Sequence, residues 1–196
     1  MFSFSANVSR PRRNTEARGS ANRNPKAPNL RALAKKRPWE QTRHTVSMEA
    51  IFLIGMQGAG KSTFYRHTFF DTHLRINLDQ LRTRNREEIM IRACLEAKMR
   101  FVWDNTNATR RERSRILQMT SVSGFRAFGY YFEPDYAASA KRNSERIGRA
   151  KVPLVALKST VARLEKPNFD EGFEAIFSVW NRGEWGFQIE EWNREI

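Results

Sequence analysis

The residues Gly55-Met56-Gln57-Gly58-Ala59-Gly60-Lys61-Ser62 keep the spacing G-x-x-x-x-G-K-S/T. Glycines at those offsets let the backbone turn tightly and aim successive N–H groups at one point, as phosphate oxygens require. A helix opening at Lys61 adds the positive end of its dipole. Lys61 then reaches the β and γ phosphates and Ser62 holds Mg²⁺, while Gly55, Gln57, Gly58, Ala59, Gly60 and Thr63 complete a cradle for a nucleoside triphosphate. ATP or GTP, with Mg²⁺, is the expected cofactor.

Three further constellations supply what such a loop lacks. In Asn77-Leu78-Asp79-Gln80-Leu81-Arg82, a carboxylate follows a short apolar stretch and an arginine follows three residues later. Asp79 there can take the proton of an attacking hydroxyl, and Arg82 can meet an anionic part of the acceptor. The plainer reading makes Asp79 a helix cap and Arg82 a solvated charge. Asp104 closes the apolar run Phe101-Val102-Trp103 and is placed to order Mg²⁺ or its waters; Asn105, Thr106 and Asn107 either join an acceptor site or simply form a turn. Arg142 and Arg146 stand one helical turn apart, with Arg149 continuing the row. On a mobile helix they can close over the phosphates, though a charge row is more often a solvated face.

The elements needed to position these residues are legible as alternating strands and helices. Apolar runs at 50–54, 74–77, 101–103, 125–132 and 175–180 read as five strands. Helical spacing runs from near Lys61, over 79–99, from about 109 to a glycine cap at Gly124, over 135–147, and over 153–164 behind Pro153. The last stretch, 181–196, with Trp185 and Trp192, reads as a short helix packing back. Repeated strand–helix–strand units imply an α/β fold: a parallel five-stranded sheet, helices on both faces, and a helical lid.

Bulk composition limits the alternatives. The chain has 196 residues, 40% of them hydrophobic and 29% charged, which suffices for one domain with a core. One cysteine, Cys94, and three scattered histidines (His44, His67, His73) exclude a disulfide framework and a cysteine zinc cage. No apolar run approaches the roughly 20 residues of a membrane-spanning helix. Lys and Arg number 35 against 21 Asp and Glu, a net +14 that points to a polyanionic partner. Residues 1–47 hold 11 of the cations against Glu16 and Glu40, leaving 24 basic and 19 acidic residues, or +5, for 48–196. The first segment reads as a disordered basic arm preceding a domain at 48–196. It is a nucleic-acid-attracting tail, a transit peptide, or an extension ahead of a true start at Met48. A cytoplasmic location is expected, with an organellar or nuclear one left open by that arm.

The ordered set of motifs resembles the kinase domain of 5′-hydroxyl polynucleotide kinases. The likeness spans about residues 50–180: GAGKST at 58–63, N-x-D-x-x-R at 77–82, DNTN at 104–107, KRNSER at 141–146, Val152-Pro153, Glu165-Lys166-Pro167 and Glu171-Gly172-Phe173. The resemblance implies that Lys61 and Ser62 bind the phosphates and Mg²⁺ of ATP, and that Asp79 is the general base for a 5′-hydroxyl. It further implies that Arg82 contacts the acceptor's flanking phosphate, that Asp104 helps arrange the acceptor and the metal, and that Arg146, with Arg142, clamps the donor phosphates; Asn107 is a further candidate for binding the acceptor. Nucleic-acid 5′ ends would be the partner. No D-x-D or K-x-D-G occurs, so the phosphatase and ligase often fused to such kinases are absent from this chain. Two other functions share the scaffold: a kinase for a small molecule or nucleotide sugar, including toxin-like kinases, and a non-catalytic NTP-dependent nucleic-acid-binding module.

Overall fold

A computed structural model describes residues 48–148, 151–183 and 186–194; the expected basic arm at 1–47, Arg149 and Trp185 lie outside the described residues. The central strand β1 (Glu49–Ile54) is buried along its whole length, so its run of apolar residues packs on both faces. It is followed by α1 (Lys61–Thr68), β2 (Leu74–Ile76), α2 (Leu78–Leu81), α3 (Arg84–Glu96), β3 (Phe101–Asp104), α4 (Arg110–Val122) and β4 (Arg126–Phe132). Then come α5 (Tyr136–Ser144), α6 (Leu154–Arg163), a 3₁₀ turn at Phe169–Glu171, β5 (Ala175–Asn181) and β6 (Phe187–Glu191). The sheet order is β2-β3-β1-β4-β5-β6, with β1 flanked by parallel β3 and β4. Ligands of such sheets sit beyond the strand carboxyl ends, where the chain departs to opposite sides. The loop after β1 is at that place.

Three expectations need correction. The sheet has six strands, because 187–191 pairs antiparallel with β5 instead of forming a helix. Phe187 explains this: its ring lies 5.1 Å from Phe64 in an edge contact, so the last segment is drawn under α1 as an extended edge. The helix expected over 79–99 is broken into α2 and α3 at Arg82, whose φ of 71° ends the first and whose neighbour Thr83 caps the second. The lid helix stops at Ser144, before Arg146.

Two aromatic clusters hold the sheet. On one face Phe52 meets Trp103 and Phe173 edge-on, each at 5.4 Å. On the other, Phe64 on α1 touches Tyr130 and Phe132 as well as Phe187, which fixes the first turn of α1 against β4. A buried ion pair ties α4 to the 3₁₀ turn. Arg113 is fully buried, donates from Nε and Nη2 to the Glu171 carboxylate at 2.7 Å each, and uses Nη1 on the carbonyls of Asn107, Ala108 and Glu165. Removing one partner strands the other charge in the core. Glu171→Ala is expected to lose about 3–5 kcal/mol in urea unfolding, while the double change Arg113→Met with Glu171→Leu regains most of it.

Candidate active site

The loop from Gly55 to Gly60 has its carbonyls held by donors from distant parts of the chain. Lys61 Nζ donates to Gly55 O and Met56 O at 2.8 Å each, Arg142 Nε of α5 to Gly58 O at 2.7 Å, and Asn181 Nδ2 at the end of β5 to Ala59 O at 3.1 Å. A peptide's C=O and N–H point opposite ways, so each of these bonds also fixes the direction of a loop N–H. The N–H groups of Lys61 and Ser62 head α1 with no helical carbonyl to receive them. No acidic residue lies in the first turn of α1. Together these make an anion site.

Two glycines are demanded by this arrangement. Gly58 has φ +80°, and a Cβ there would come within 2.6 Å of Ser139 O, so α5 rests directly on the loop backbone. Gly60 has φ +105°, and the space a side chain would take is filled by the Asn181 amide. Gln57 places its Oε1 in the same loop as a buried acceptor without a hydrogen-bond partner.

Lys61 is buried, and burial pulls its pKa down to about 8. Asp104 opposes that drop, Arg146 adds to it and Asp79 opposes it, in that order of strength. Charges from β3, the lid and α2 therefore all act on this one ammonium.

On the other side of β1, α2 hangs between two asparagines. Asn77 Oδ1 accepts from Gln80 N and its Nδ2 donates to Asp104 O at 2.6 Å, while Asn105 Oδ1 accepts from Leu78 N at 3.0 Å. Asn77, not Asp79, caps this short helix, which removes the plain reading of Asp79 as a cap. Asp79 is exposed on α2, and Arg82 is exposed at its C-terminal end. Asn107 lies elsewhere than the acceptor site expected of it. It is buried, in the left-handed region at φ 47°, and its amide donates to Leu53 O and Trp103 O, joining the ends of β1 and β3. Asn105 also donates to Glu87, which Trp103 Nε1 and Arg84 hold in place.

The sequence reading missed Arg75. From β2 its guanidinium donates to Asp104 Oδ2 through Nε at 2.8 Å and Nη2 at 2.5 Å, and to Ser62 Oγ through Nη2 at 2.8 Å. Ser62 Oγ itself donates to Asp104 Oδ2 at 3.2 Å. A three-residue strand shows no alternation, so nothing in the pattern aimed Arg75 inward; its one signal was a charge on an apolar strand. The hydroxyl and carboxylate oxygens suit Mg²⁺, since neighbouring ligands of an octahedron with about 2.1 Å bonds stand about 3.0 Å apart. Among the described residues no group of three or more His, Cys, Asp or Glu forms a metal cluster.

From the lid, Arg142 is half-buried against Gly58 and its pKa is lowered by that burial. Asn143 is buried and clamps the backbone of Val152 through both amide atoms, at 2.7 and 2.9 Å, which closes the lid segment on itself. Arg146 lies just past α5, half-buried, near enough to lower the Lys61 pKa.

A family profile described as an AAA domain matches residues 51–167. Solved structures with a similar fold include Kti12 of Chaetomium thermophilum in complex with ADP-AlF3, at 17% identity and a TM-score of 0.52, over 67% of this chain and 88% of that one. A chain of the PezAT chromosomal toxin–antitoxin system of Streptococcus pneumoniae matches at 17% identity and 0.51, over 78% and 74%. A sugar kinase of Janibacter sp. matches at 18% and 0.50, over 66% and 84%. At these identities the likeness is one of fold, that of P-loop kinases.

The depressed lysine makes a prediction about pH. In the ligand-free fold Lys61 sheds its proton near pH 8 instead of 10.5, whereas phosphate binds the ammonium form. Nucleotide affinity should therefore fall above about pH 8, by up to about tenfold per pH unit, with a proton taken up on binding. Lys61→Met should bind weakly and lose this slope; calorimetry from pH 7 to about 9.5 checks both. The ligand-free protein should gain stability from pH 8 toward 10.5, because the unfolded chain keeps that proton longer.

Proposed function

The chain belongs to this AAA domain family, with a P-loop kinase fold, and we propose that it transfers the γ-phosphate of ATP to the 5′-hydroxyl end of a DNA or RNA strand. The observation that carries the reading is Asp79: an exposed carboxylate on α2, a helix tied to the end of β3 by two asparagine brackets, whose field reaches Lys61. An exposed base suits the terminus of a long acceptor better than an enclosed metabolite. Arg82 closes the same short helix and Arg86 donates to Leu81 O; neither has a carboxylate partner among the described residues, so the segment that carries the base is cationic. Phosphodiester groups following the first nucleoside would be attracted there.

In this reading the loop amides and Lys61 hold the β and γ phosphates. Asp79 accepts the proton of the 5′-hydroxyl as the hydroxyl oxygen attacks the γ-phosphorus, the bond from that phosphorus to the β-phosphate oxygen breaks and ADP leaves, and Arg82 binds the acceptor's next phosphate. Arg142 fixes the loop from α5, and Arg146 faces the charge that grows on the transferred group. Ser62 Oγ and the Asp104 carboxylate would hold Mg²⁺, whose chemistry would be to neutralise phosphate charge. A second reading keeps the donor site and changes the acceptor to a sugar or other small molecule; the fold shared with a sugar kinase favours it.

The two separate in one experiment. With γ-labelled ATP, label is expected on a 5′-hydroxyl oligonucleotide and not on a panel of sugars and nucleosides; label on a panel member alone overturns the proposal. Asp79→Asn should slow transfer about 10²–10⁴-fold with ATP binding intact. Arg82→Ala should raise the oligonucleotide KM while leaving the ATP KM in place; equal effects on both would count against an acceptor role.

A further inference from the structure

We infer that Arg75 is a metal-responsive latch: its guanidinium and a divalent cation compete for the Ser62 hydroxyl and the Asp104 carboxylate. One guanidinium nitrogen, Nη2, lies 2.5 Å from Asp104 Oδ2 and 2.8 Å from Ser62 Oγ, the two oxygens a cation in a P-loop site takes from the protein. Nε adds a second bond to the same carboxylate oxygen. Nitrogen and metal cannot share that space, and a doubly charged ion beside both Lys61 and Arg75 would be repelled. Arg75 can leave. It sits on the edge strand β2, its side chain is 23% exposed, and beyond Asp104 and Ser62 its described contact is the Tyr65 ring, 5.6 Å from the guanidinium carbon.

The latch has two effects by linkage. Without metal, it neutralises Asp104, which is 2% exposed and would otherwise be a buried anion with the Ser62 hydroxyl as its remaining described side-chain donor. With metal, the guanidinium is released at the start of a segment that runs directly into Asn77 and Asp79, on the acceptor side. Metal affinity is lowered by the same factor by which metal loosens the latch. Metal loading therefore sets whether this cation stays on Asp104.

The test reads binding and needs no acceptor, so it stands or falls apart from the transfer activity proposed above. ADP binding to the full chain is followed by calorimetry at increasing Mg²⁺, giving the half-saturating metal concentration. In Arg75→Gln that midpoint is expected to fall by about tenfold, within the range of ordinary coupling between sites. Arg75→Lys, with a single-point ammonium in place of the fork, should fall between Gln and wild type. An unchanged midpoint overturns the proposal. So does a raised one, which would make Arg75 a prop that holds Asp104 in position for the metal. Should the Gln variant not fold, the Lys variant carries the same test: a lowered midpoint supports competition, and an equal or higher one refutes it.

Discussion

The phosphate loop owes its shape to where its carbonyls go. Four of them are received by Lys61 from the following helix, Arg142 from the lid and Asn181 from the far side of the sheet. Each such bond commits a peptide plane, and the planes together decide which way the amides face. An isolated glycine-rich octapeptide would sample many turns; here α1, α5 and β5 select one. The rest of the domain can be read as the apparatus that brings those three donors to one loop: aromatic packing seats α1, Ser139 seats α5 on Gly58, and β4 carries β5 into register.

The same constraint explains the electrostatics. A lysine that holds two carbonyls inside a buried loop loses much of its hydration, and nearby Asp104 and Asp79 only partly compensate, because Arg146 pulls the other way. The cation is held in readiness at some cost, and a polyphosphate relieves it. Charge here is arranged in alternating layers: Arg75 on Asp104, Lys61 among carbonyls, Arg142 against Gly58. Each positive group has an oxygen to hold in the ligand-free fold, and several of those oxygens are ones that a nucleotide or a metal would take over.

How far the sequence revealed this depends on what kind of signal each part emits. β1, the P-loop and α1 are local: a run of apolar residues, glycines at fixed offsets, then a helix. The break at Arg82 was hidden because α2 and α3 together still present apolar residues at near-helical spacing, and only the left-handed backbone at one residue divides them. Asn107 was ambiguous since an asparagine after a strand serves a turn or a ligand equally well; its amide is spent on Leu53 and Trp103, a pairing that depends on β3 lying next to β1. β6 and Arg75 were invisible for a shared reason. Each takes its meaning from a partner more than ten residues away, Phe64 for Phe187 and Asp104 for Arg75, and no periodicity encodes such a meeting.

The antiparallel β6 has one more consequence. A parallel sheet that ended at β5 would leave a long, buried-type strand, Ala175–Asn181, with a bare row of amides and carbonyls able to recruit a strand from another molecule. β6 covers that row with a five-residue ribbon whose outer residues include Gln188, Glu190 and Glu191. Carboxylates along an outermost strand repel a second copy of themselves. The segment that locks Phe187 against α1 is thus also the sheet's guard against self-templated growth, and shortening the chain there would expose the domain to aggregation before it touched Lys61 or Asp79.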